Sequence, residues 1–189
     1  MAEVLLFHHA QGQTPGFLAF ADELRVAGHT VHTPDLYDGK TFATVEEGVA
    51  HAKEVGFDTI LERGRLAGEE LPNGMVYAGF SLGVMPAQLL AQTRDDAKGA
   101  LLFHGAIPAA EFGGAWPVGV PLQIHMMEAD PWAEEDLPAA HELEETAGAE
   151  LFLYPGDQHL FADNSLPDYD EAAATLLKQR VRDFLDKVE

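Results

Sequence analysis

The sequence predicts an α/β fold, a mainly parallel sheet of about six strands with helices on both faces. Two observations carry this. Short apolar runs rich in β-branched and aromatic residues alternate along the chain with helix-length amphipathic stretches. The runs are also apolar throughout rather than at every second residue, which suits strands covered on both faces. The chain has 189 residues and reads as one domain, 1–189, with an ample core. No repeats, low-complexity tracts or linkers interrupt it.

Val4–Phe7 opens as a buried strand, and His8–Gln13 is its polar, Gly-containing exit. Thr14-Pro15 is an N-cap followed by Pro at the first helical position. Phe17, Phe20, Ala21 and Leu24 then repeat at helical spacing, and Gly28 ends that helix. Thr30–Thr33 is the second strand, followed by a loop over Pro34–Gly39. Thr44 and Glu47 have capping-box spacing ahead of Val45, Val49 and Ala52. Gly56 divides this region into two helices, the second carrying the apolar residues Phe57, Ile60, Leu61 and Leu66. Pro72-Asn73-Gly74 turns the chain into a central strand that begins at Met75, and an Ala/Leu-rich helix follows over Val84–Thr93.

Gly99–Phe103 is the next strand. Gly105–Gly119 is Gly/Pro-rich, lacks helical periodicity and is too short for a lid domain. Pro121–Met127 is a strand, with a helix containing Leu137 and Leu143 after it. Glu150–Tyr154 is the last strand. Asp168 and Glu171 have capping-box spacing before a terminal helix whose face is Ala173, Leu177, Val181, Phe184 and Val188.

Composition excludes several classes of function. Lys+Arg 11 against Asp+Glu 32 gives a net charge of −21. Such a surface repels nucleic acid and anionic membranes, and it favours solubility. There is no cysteine, which removes disulfides, thiolate catalysis and zinc–sulfur sites. No apolar run approaches the ~20 residues of a membrane span. The start, Met-Ala-Glu-Val-Leu-Leu-Phe, has no basic region or long apolar core, so a cytoplasmic location is expected. His29 and His32 straddle a turn and a strand with too few further ligands for a metal, and no cofactor is expected.

The chemistry centres on Met75–Gly83, where a buried strand meets Gly79-Phe80-Ser81-Leu82-Gly83 and then a helix. Strand, sharp turn, serine and helix is the context of a nucleophile elbow. Side chains at Gly79 and Gly83 would collide with neighbouring elements, and the serine takes a strained backbone position. The Leu82 N–H, at a helix start, points where an oxyanion would form. A second donor is expected from the turn after the first strand, at Ala10 or Gln11.

A serine hydroxyl needs a base to remove its proton as it attacks. In a parallel sheet the loops after the strands gather at one edge, and three polar residues sit in such loops: Ser81, Asp130 and His159. His159 is the expected base, because imidazole titrates near neutral pH. Asp130 would fix its tautomer. Asp130-Pro131 is equally a good helix start, and Asp157 is an alternative acid. His9 is placed at the pocket and His8 in the packing, with Phe80, Phe161, Trp116, Trp132 and Met85 as candidate apolar walls.

On these pieces the chain resembles the dienelactone hydrolase family of α/β-hydrolases. The resemblance rests on Ala78-Gly79-Phe80-Ser81-Leu82-Gly83, Glu128-Ala129-Asp130-Pro131, Pro155-Gly156-Asp157-Gln158-His159-Leu160-Phe161, and Pro167–Ala173 with Phe184-Leu185. His8–Gly12 and Pro34-Asp35-Leu36-Tyr37 match family positions too. It implies an α/β-hydrolase fold without a lid, and Ser81, His159 and Asp130 as a triad. Well-known members have cysteine where this chain has Ser81, and a glutamate where it has His9. They hold an anionic lactone with arginines, and Leu160–Ser165 contains none.

The expected function is therefore a serine hydrolase that cleaves small neutral carboxylic esters or lactones through an acyl-enzyme. Its expected partner is that small molecule, with no nucleic acid and no membrane. The alternative is a catalytically idle ligand-binding or scaffold protein of the same fold.

Overall fold

The computed structural model describes residues 1–188. Six strands form one sheet: β1 (Glu3–Phe7), β2 (Thr30–His32), β3 (Val76–Phe80), β4 (Gly99–Phe103), β5 (Leu122–Met127) and β6 (Glu150–Tyr154). Their order is β2-β1-β3-β4-β5-β6, and every neighbouring pair is parallel. The chain leaves β1 for β2 on one side and returns to β3 on the other. The direction of winding thus reverses between β1 and β3, and the exits of those two strands open beside each other, where open α/β sheets place their sites.

Six helices cover the sheet: α1 (Pro15–Val26), α2 (Val45–Val55), α3 (Phe57–Glu69), α4 (Val84–Thr93), α5 (Leu137–Ala147) and α6 (Glu171–Lys187). Side chains alternate across each strand. Val4, Leu6, Ala78, Leu101 and Phe103 pack with Phe17, Phe20 and Leu24 of α1 and with Leu177, Val181 and Phe184 of α6. Leu5, Phe7, Tyr77 and Leu102 pack on the other face with Ala52, Ile60, Ala87, Leu90 and Leu143 from α2 to α5. Both faces are therefore apolar, which is why the strands read as unbroken hydrophobic runs.

Three expectations change. The inner face of α3 is Ile60, Gly64 and Gly68, while Phe57 and Leu66 are exposed. A Cβ on Gly64 would meet Pro86, and one on Gly68 would meet Leu90. The two glycines let α3 press close to α4, so the helix is seated by its missing side chains. The cap of α6 is Asp170, whose Oδ1 accepts from Ala173 N at 2.9 Å, not Asp168. The second strand ends at His32, and His29 and His32 bond separately, to Ala2 N and Glu3. Gly105–Gly119 holds one short 3₁₀ turn, Ala109–Phe112, and no lid. None of the helices among the described residues is long and apolar enough to cross a membrane.

Candidate active site

Ser81 follows the last residue of β3 and has φ +49°, a left-handed conformation uncommon outside glycine. The strand arrives fully buried, a 3₁₀ turn over Ser81–Gly83 reverses it, and α4 departs at Val84. A Cβ on Gly79 would lie 2.0 Å from the Gly83 carbonyl oxygen, so only glycine allows the turn to close. The Leu82 N–H stands at the start of the helical segment, whose partial positive charge favours an anion there.

Asp130 follows β5 and His159 follows β6. Ser81 Oγ lies 2.7 Å from His159 Nε2, and His159 Nδ1 lies 2.5 Å from Asp130 Oδ2. Both partners of the serine are withdrawn from water, His159 at 4% exposure and Asp130 at 2%. A carboxylate only accepts, so Nδ1–H donates to Asp130 and Nε2 is left to accept the serine hydroxyl. The other Asp130 oxygen, Oδ1, accepts from Trp132 N at 2.9 Å. One Asp130 oxygen thus fixes the local turn and the other reaches the imidazole, but Asp130 does not cap a helix as its Asp-Pro sequence suggested. The next helix begins only at Leu137. Asp157 is exposed and makes no bond to His159.

The first turn lies against the elbow. His8 and His9 are both fully buried. His8 is packed as expected, donating from Nδ1 to the His9 carbonyl at 2.8 Å and accepting from Leu36 N at 2.9 Å. The Nε2 of His9 meets Asp163 Oδ2 at 2.9 Å, and its Nδ1 accepts from Gln11 N at 3.2 Å. The Gln11 N–H is thereby occupied, leaving Ala10 as the free N–H of the two that sequence offered. Burial holds the His9 imidazole below its ordinary value, although the Asp163 carboxylate works against this. Burial alone would push Asp163 up. The hydrogen bonds from His9, Thr14 and Ser165 outweigh it and hold that carboxyl below the usual range.

His9, Phe80 and Phe161, expected at the substrate pocket, are all buried, and Phe80 and Phe161 are part of the hydrophobic core. Phe80 faces the α1 side of the sheet, packed edge-on against Phe17 and Phe20. Phe161 packs against Tyr154 and His104. Trp116 is likewise a core residue. Beside the triad, reached through Trp132 and Gln11, is a cleft of about 270 Å³ that is also lined by Val45, Glu46, Pro167 and Asp168, among others. Trp132 is 43% exposed, and its ring centre is 6.2 Å from that of His159. Asp168 thus borders this cleft instead of capping a helix.

Sequence reasoning missed three residues near the centre. Asp163 lies in the loop of His159, and only its distant partners reveal a role. Asp136 is half-buried, accepts from Ala106 N at 3.4 Å, and has its carboxyl pushed up by burial. His104 follows β4 at φ +65°, with neither ring nitrogen bonded among the described residues, 6.0 Å from the His159 ring, and burial holds it well below its ordinary value.

Comparison with known proteins agrees with this architecture. No curated protein matches the chain in sequence. Among solved structures, it resembles a dienelactone hydrolase-like promiscuous phosphotriesterase from metagenomic libraries, at 17% identity and TM-score 0.70, over 100% of this chain and 87% of that one. It resembles the dienelactone hydrolase of Anabaena variabilis at 19% identity and TM-score 0.69, over 99% and 86%. A cold-adapted esterase from an Arctic intertidal metagenomic library is similar at 18% identity and TM-score 0.58, over 95% and 82%. The sequence model of the dienelactone hydrolase family matches residues 1–189. The chain belongs to the dienelactone hydrolase family, and is a hydrolase of the ester and lactone type within the α/β-hydrolase superfamily.

Proposed function

We propose that this hydrolase cleaves small neutral esters or lactones through an acyl-enzyme on Ser81. One observation carries the reading: the unbroken hydrogen-bonded chain from Ser81 Oγ through His159 to Asp130, set on a serine with positive φ. In this reading His159 Nε2 takes the hydroxyl proton as Oγ attacks the carbonyl carbon. Asp130 stabilises the imidazolium that forms. The backbone N–H groups of Leu82 and Ala10 receive the oxyanion. The imidazolium returns its proton to the departing alcohol, and water then repeats the sequence to free Ser81.

Charge supports the neutral substrate. Glu46 and Asp168 border the cleft and none of its lining residues is a lysine or arginine. An anionic ester would meet these carboxylates and the field of a −21 chain. The test is labelling of Ser81 by a fluorophosphonate together with turnover of p-nitrophenyl acetate. Both should vanish in Ser81→Ala, and a variant as active as the parent rejects the assignment.

A further inference from the structure

We infer that His9 and Asp163 are positioning residues: a second buried imidazole–carboxylate pair that selects the Ala10 N–H as oxyanion donor and clamps the loop of His159 to the first turn. The inference rests on the hydrolase reading above and assigns work to two buried polar groups which that reading leaves idle.

The hydrogen-bond directions carry the argument. Every bond to Asp163 comes from a donor. His9 Nε2 and the Thr14 hydroxyl meet Oδ2, while Ser165 N and Oγ meet Oδ1 at 2.9 and 2.7 Å. The carboxylate therefore keeps the imidazole proton on Nε2 and leaves Nδ1 as a bare acceptor. That acceptor takes the Gln11 N–H at 3.2 Å, so this N–H is already spent. The Gln11 carbonyl is held too, accepting from Phe42 N at 3.0 Å. Ala10 N–H, one position earlier, meets no protein acceptor among the described residues.

Packing keeps this arrangement from turning over. A Cβ on Gly48 would lie 2.1 Å from the Ala10 carbonyl oxygen and 3.0 Å from Gln11 N, so α2 lies directly on that peptide. The His9–Asp163 bond also joins the exits of β1 and β6, which are 154 residues apart in sequence. Asp163 N donates to the Leu160 carbonyl at 3.0 Å, next to His159. Gly16 N donates to Ser165 Oγ at 2.9 Å and ties the start of α1 to the same loop. The oxyanion donor and the base are thus set by one buried network, much as outer hydrogen bonds orient ligands at a metal.

The experiment compares the parent with His9→Leu, His9→Asn and Asp163→Asn, with rates expressed per serine titrated by fluorophosphonate. The Oδ1 of asparagine can stand in for Nδ1 and accept from Gln11 N, whereas leucine cannot. In Asp163→Asn an amide –NH₂ must face donors on one side or the other. His9→Leu should lower kcat about 100-fold with KM within about threefold, the scale of losing one oxyanion donor. Affinity for an aryl trifluoromethyl ketone, whose adduct carries the oxyanion, should fall in parallel. His9→Asn should recover about tenfold of the loss, and Asp163→Asn should lie between the two. If His9→Leu does not fold, the other two variants decide. Unchanged kcat and ketone affinity per titrated serine overturn the positioning role, even if stability falls. A parent that neither labels at Ser81 nor turns over ester overturns the hydrolase reading instead.

Discussion

The Phe7 carbonyl oxygen would lie 2.5 Å from a Cβ on Gly83, with the His8 carbonyl oxygen at 2.7 Å. The elbow therefore rests directly on the backbone where β1 ends. Backbone on a central strand cannot move aside as a flexible side chain can. Gly83→Ala should destabilise the protein by about 1–3 kcal/mol and displace the Leu82 N–H, so that ester turnover falls further than the folded fraction does. Chemical denaturation and turnover per titrated serine measure the two effects. A variant with parental values in both would mean that the contact is looser than this geometry.

Asp130→Asn should keep the fold, because the side-chain oxygen facing Trp132 N is retained. The amide can no longer hold the His159 tautomer that accepts the serine proton. Turnover should fall by about 10³–10⁴-fold, the scale known for this substitution in serine relays. A loss under tenfold would move the acid role elsewhere, and Asp136 would be the next residue to test.

Charge at the cleft should be visible in substrate choice. In Glu46→Gln and Asp168→Asn, kcat/KM for an ester bearing a carboxylate should rise about two- to fivefold while a neutral isostere changes little, and salt should shrink the gain. Initial rates at low and high ionic strength decide. Equal effects on both esters would place these carboxylates outside the substrate's reach.

Acid should weaken the fold through its buried histidines. His125 is fully buried, and burial pulls its imidazole down to about 3 from an ordinary value of 6.5. The unfolded chain thus binds a proton at this residue below pH 6.5 that the folded chain refuses until near pH 3. Stability from this residue is complete above pH 6.5 and drains as pH falls, at about 1.4 kcal/mol per unit. Between pH 6.5 and 5.5, where carboxylates stay ionised and the unfolded imidazole is only part-way through its titration, urea titrations of the parent and His125→Gln should diverge by about 1 kcal/mol. Parallel slopes would show that His125 protonates freely in the fold.

The strands and the elbow were legible in the sequence because their signals are local. Val76–Phe80 is apolar on both faces and Gly79 and Gly83 flank Ser81, so sequence neighbours carry the whole pattern. The order Ser81, Asp130, His159 was legible because each follows a strand. Other features depend on partners far away in sequence. Nothing near Gly64 or Gly68 shows that Pro86 and Leu90 will fill their missing side chains. Asp163 looks like any loop aspartate until β1 brings His9 to it. Spacing suggested Asp168 as a cap, yet the chain starts its helix after Asp170. Phe80 and Phe161 sit close to Ser81 and His159 in sequence, and the strand and loop turn them into the core all the same. The positive φ of His104 has no signature in the residues around it.

The bare connection over Gly105–Gly119 has a kinetic corollary. The connection is too short to fold over the site as a flap, so added viscosogen should scarcely slow turnover, and a marked slowing would mean that another segment gates release. Without a flap among the described residues to wrap a long acyl or alkyl tail, recognition is expected to rest on the few atoms flanking the scissile bond. Such a catalyst gains breadth of substrate and forgoes the tight grip that enclosure would give.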